Sequence, residues 1–145
     1  MSALVQRISI APQGLLLLVV LAVMSMVVSV PAQADVHKTG SWVQKQKSIQ
    51  GGWEVHKSGG KTIIRMQENF QAAGGPDLKV FLSKKHISKV TGQNATKGAV
   101  LLSPLKSTNG VQEYVVPDGV DLADYKSVLV HCVSFSVLWG GADIS

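Results

Sequence analysis

Cysteine is nearly missing from this sequence: Cys132, in the stretch SVLVHCVSFSVLWGGADIS, is the only one. An internal disulfide is therefore excluded, and so is covalent c-type haem, because no C-x-x-C-H occurs. Aromatic residues are also scarce, at 6%. Positive charge is carried almost entirely by scattered lysines, without a long basic run and with few aromatics between them. That pattern argues against a nucleic-acid groove and for a mildly basic, solvated surface. Nucleophile elbows, Walker loops and H-E-x-x-H are absent, and no carboxylate pair or His–Asp–Ser set has diagnostic spacing. Nothing in these patterns argues positively for a hydrolase.

What is present begins with an export signal. Arg7 supplies a positive start, Leu15 to Val28 an unbroken apolar run, and Pro31 breaks the segment before Ala32-Gln33-Ala34. Small-x-small is the pattern that signal peptidase reads. The apolar run is shorter than the roughly 18 residues of a spanning helix, so residues 1–34 are expected to be removed and no membrane insertion of the remainder is expected. The remaining domain, 35–145, would be periplasmic or secreted. It carries thirteen Lys and Arg against nine Asp and Glu, a net charge of +4. One ordinary domain of this length can bury a core without disulfide staples.

After residue 34, short strand-like segments alternate with Gly, Pro, Asn and Asp. GGWEVHK, the turn at Gly59-Gly60 and TIIRMQENF read as a β-hairpin, with Trp53 and Val55 on one face and Glu54 and His56 on the other. Further strands are expected at Leu78 to Leu82, Ala99 to Leu102 and Val111 to Pro117. In Ser127 to Val133 both alternating faces are apolar, which predicts a central strand covered on both sides. Seven or eight short strands without a helical period give an all-β fold, a single antiparallel β-sandwich or barrel-like domain.

The candidate chemistry centres on Cys132. Exported, it is an oxidisable thiol in an oxidising compartment, unless it serves as a small hydrophobe in the core. A reactive thiol, a ligand to a prosthetic group and a disulfide-linked dimer are the functional readings. His131 adjoins it, but neighbours in a strand point to opposite faces and could not share a metal or a proton without a bulge. A blue-copper site would need a second His and a Met soon after the cysteine, and neither follows. Haem held by one axial Cys or His leaves no short motif to find. In PDGVDLADY, Asp121 as the N-cap of a single helical turn explains the spacing better than a calcium loop does. Asn94-Ala95-Thr96 is a glycosylation sequon.

One pattern runs through most of the domain: Gly75-Pro76-Asp77-Leu78, then Gln112, Tyr114 and Pro117, then Tyr125, Ser127, Val128 and Cys132, with Phe135, Val137 and Ala142 closing it. In these residues the sequence resembles the DM-thirteen family of exported β-rich modules. The position before the cysteine, often Trp in the family, is His131 here. The resemblance implies electron transfer centred on Cys132, as a naked thiol or as the ligand of a group such as haem, with a redox protein as partner; His131, where the chain departs from the family, is a further candidate as ligand or proton donor. The rival reading is a non-catalytic extracellular binding or adhesion module with Cys132 as core filling.

Overall fold

A computed structural model describes residues 35–145; the predicted signal peptide lies outside the described residues. Two antiparallel sheets face each other. The four-stranded sheet is ordered β1 (Asp35–Ser41), β4 (Gly52–Ser58), β5 (Lys61–Met66), β9 (Gln112–Val115). The five-stranded sheet is ordered β2 (Val43–Gln44), β11 (Val137–Asp143), β10 (Ser127–Cys132), β7 (Leu78–Ser83), β8 (Val100–Pro104). A small ladder pairs β3 (Ile49–Gln50) with β6 (Gln71–Ala72). The all-β sandwich expected from the sequence is the fold observed.

The predicted hairpin forms as expected. Ser58 pairs with Lys61 around Gly59 and Gly60, whose φ values of 56° and 76° suit a two-residue turn that only glycine adopts without strain. Alternation then directs Trp53, Val55, Ile64, Met66 and Tyr114 inward from the four-stranded sheet. They meet Leu78, Val80, Leu82, Val128, Val130, Cys132 and Trp139 from the other sheet.

The two sheets differ on their outer faces. Outside the five-stranded sheet, Phe81, Leu129 and Leu138 pack against Ile87, Val90 and Ala95. These last residues belong to the segment between β7 and β8, which contains a 3-10 turn at Ile87–Lys89. Outside the four-stranded sheet, Glu54, Arg65 and Glu113 stand in one register row. One sheet is thus buried on both sides and the other on one.

β11 departs from regular alternation. Val130 pairs with Gly140 and His131 with Leu138, so Trp139 is an extra residue. The bulge lets Trp139 and Gly140 both take the inner face, and the indole Nε1 donates to the Ala73 carbonyl at 2.7 Å. A Cβ on Gly140 would collide with the Val43 carbonyl. That is why the sequence places Gly-Gly after the tryptophan.

Candidate functional site

All six residues of β10 are buried. Cys132, its last residue, pairs with Leu78 of β7 and Val137 of β11 and faces the inner core with 0% exposure. His131 faces the other way. The β10–β7 register runs without interruption through Val130, His131 and Cys132, and the bulge lies on β11. The structure therefore keeps the two neighbours on opposite sides of the sheet and does not bring them together.

His131 is 2% exposed. Its ring lies edge-on to Phe81, centroids 6.2 Å apart, and its Nδ1 has no hydrogen-bond partner. Burial lowers its pKa below the ordinary 6.5, because an imidazolium there would lose its water without gaining an acceptor. The neutral ring is the form this packing accepts.

Directly after Cys132, the chain reverses through Val133, Ser134, Phe135 and Ser136. The loop carrying Asp77 clamps this turn twice. Val133 N–H donates to the Asp77 carbonyl at 3.1 Å, and Ser134 Oγ donates to Asp77 Oδ2 at 3.0 Å. Lys79 Nζ stands 3.2 Å from Asp77 Oδ1. Hydrogen bonds from Lys79 and then Ser134 hold the Asp77 carboxyl below the ordinary 3.8. Ser136 closes the turn in the left-handed region, at φ 52°, a conformation that costs a non-glycine residue roughly 1–2 kcal/mol. Gly92 abuts its carbonyl so closely that a Cβ would overlap the oxygen. Phe135 projects from this braced turn and is 68% exposed. Sequence reasoning did not connect Asp77 with the turn; the Gly-Pro-Asp-Leu motif was the available signal.

A haem on Cys132 does not fit this packing. The thiol is wholly enclosed in the core, and neither Cys132 nor His131 lines any of five surface grooves on the described residues. The groove of about 520 Å³ along Gly75–Lys79 and Pro104–Thr108 reaches Leu78, the strand neighbour of Cys132, but not the cysteine itself.

Elsewhere, Asp121 caps its turn as expected, accepting from Ala123 N–H at 2.9 Å. Asn94 of the sequon lies in the segment between β7 and β8, where its side chain accepts from Thr91 N–H and donates to the Lys89 carbonyl. Alternation along β4 placed His56 outward correctly but did not foresee its burial. The ring sits between carboxylates, Nδ1 3.9 Å from Glu54 and Nε2 3.9 Å from Glu113. Arg65 bridges the same two carboxylates, at 3.0 and 3.7 Å.

No curated protein matches the chain. No solved structure matches it either. A family profile described as Electron transfer DM13 matches residues 27–144, nearly all of the described domain. Because the profile spans nearly the whole domain, the chain belongs to the electron-transfer DM13 family, and its role is redox-related in that general sense.

Proposed function

We propose that this is an exported electron-transfer domain in which Cys132 acts as a gated thiol, buried at rest and reached when the turn Val133–Ser136 opens. One observation carries the reading. The thiol is fully enclosed, and the chain leaves it directly into a surface turn with a strained Ser136 that joins β10 to β11. Strain of this kind concentrates at sites that move or bind. Export rests on the N-terminal pattern of Leu15 to Val28 followed by Ala32-Gln33-Ala34.

The chemistry that suits a bare thiol is exchange with a disulfide carried by the redox partner. The Cys132 thiolate attacks one partner sulfur, a new S–S bond forms at Cys132 Sγ, and the partner's S–S bond breaks. The leaving sulfur departs with the electron pair and takes up a proton. Cys132 is oxidised and the leaving sulfur is reduced. A second reading has its own support: Cys132 packs with Val128 and Val130 as a small hydrophobe would, which suits a binding module.

Thiol labelling of the native protein over a series of low guanidinium concentrations separates the two. Opening of the turn alone exposes little surface, so the gated thiol labels at a rate nearly independent of denaturant. A rate that climbs with the full denaturant dependence of global unfolding would leave Cys132 as core filling. Under the gated reading, a small aromatic disulfide adds one mixed-disulfide mass to the native protein and none to Cys132→Ala.

A further inference from the structure

The turn that follows Cys132 also presents the most exposed large apolar side chain among the described residues. Phe135 is 68% exposed, with Val133 beside it at 36%. A solvated aromatic on a loose loop would mean little. This one is braced from both sides, by the Asp77 bonds to Val133 and Ser134 and by the backbone contact of Gly92 with Ser136. A rigidly held aromatic loses little freedom on binding, and aromatic anchors dominate protein interfaces.

The surroundings indicate what the anchor would meet. On the Gly92 side lies a groove of about 470 Å³ whose wall includes Lys45. On the Asp77 side lies the groove of about 520 Å³ whose wall includes Lys79 and Lys106. Both lysines outside the Asp77 pair, Lys45 and Lys106, are exposed. The one carboxylate in these walls, Asp77, is already engaged by Lys79 and Ser134. An apolar anchor thus stands between two grooves whose uncompensated charge is positive.

We propose that the Val133–Ser136 turn is the docking face for the redox partner: a protein with an apolar pocket that receives Phe135 and an acidic rim that meets Lys45 and Lys106. The inference deepens the Cys132 reading, since docking here would place the partner's reactive group over the end of β10 and could pull the turn open. It rests on that reading for calling the partner a redox protein. The docking itself is a separate claim.

The test is site-specific photo-crosslinking of the full-length chain in the producing cell, with p-benzoylphenylalanine in place of Phe135. The same probe at Val115, exposed on a strand of the other sheet, serves as control. A specific adduct is expected at position 135 whose partner peptide lies beside Asp or Glu residues. Its yield should fall about tenfold in the Lys45→Glu/Lys106→Glu variant, as for opposed rim charges that steer association. This pair leaves the Lys79–Asp77 contact intact, and protease resistance of the variant checks its fold. The adduct should persist in Cys132→Ala. An adduct no stronger than at Val115, or one indifferent to the lysine reversals, overturns the docking proposal. Failure of the gated-thiol reading would instead appear in the labelling experiment, with this crosslink unchanged.

Discussion

Nδ1 of His131 is a buried polar atom with no partner, and the surrounding apolar packing favours the neutral ring. The folded pKa lies below 6.5, so an unfolded chain binds a proton here before the native protein does. Stability is therefore untouched by this group above the unfolded pKa and falls as pH drops through it. Replacing His131 with Leu should flatten the loss of stability between about pH 7 and pH 5, measured by guanidinium unfolding across that range. An equal slope in both proteins would show that His131 is not the group responsible. The facing of this residue was legible beforehand, because strand alternation alone separates His131 from Cys132. The burial of His56 was not. It depends on Glu54, Arg65 and Glu113 arriving from three strands, and no local pattern encodes that meeting.

Among the elements, β11 depends most on a single residue type. Its bulge turns Trp139 inward, and Gly140 leaves room there for the Val43 carbonyl and Ile49. Gly140→Ala should force β2 away from β11 and cost about 1–3 kcal/mol as an overpacked site does, read as a lower denaturant midpoint. A midpoint equal to the parent's would mean that β2 yields at no cost. Strands with strong local signatures were readable: the β4–β5 hairpin from its Gly-Gly turn, and β10 from its two apolar faces. The bulge was not, because LWGGAD is compatible with either facing until a partner strand fixes the register. Nor was the extent of β1, which runs from Asp35 through polar residues and owes its form to pairing with β4. A cover on both faces of β10 was expected, but the segment that supplies it over Phe81 and Leu129 was not, since the residues between β7 and β8 have little periodicity of their own.

At the scale of the molecule, the core is assembled without a crosslink, and its one thiol is enclosed. A dimer joined through Cys132 requires a wholly buried thiol to become accessible in two copies at once. Freshly purified native protein should therefore run as a monomer on electrophoresis without reductant, after its thiols are blocked in denaturant. A doubled band under those conditions would show that the thiol pairs in the native state. The two ends of the sandwich are also unlike each other. Cys132 and its turn occupy one end, while the Gly59-Gly60 turn lies at the other, near Asp118 through Lys61. Both of those glycines look onto open space. That turn is a natural handle: a surface tag inserted there could fasten the domain to an electrode with the Phe135 end facing solution, so that current could be read from an oriented layer while the docking face stays clear.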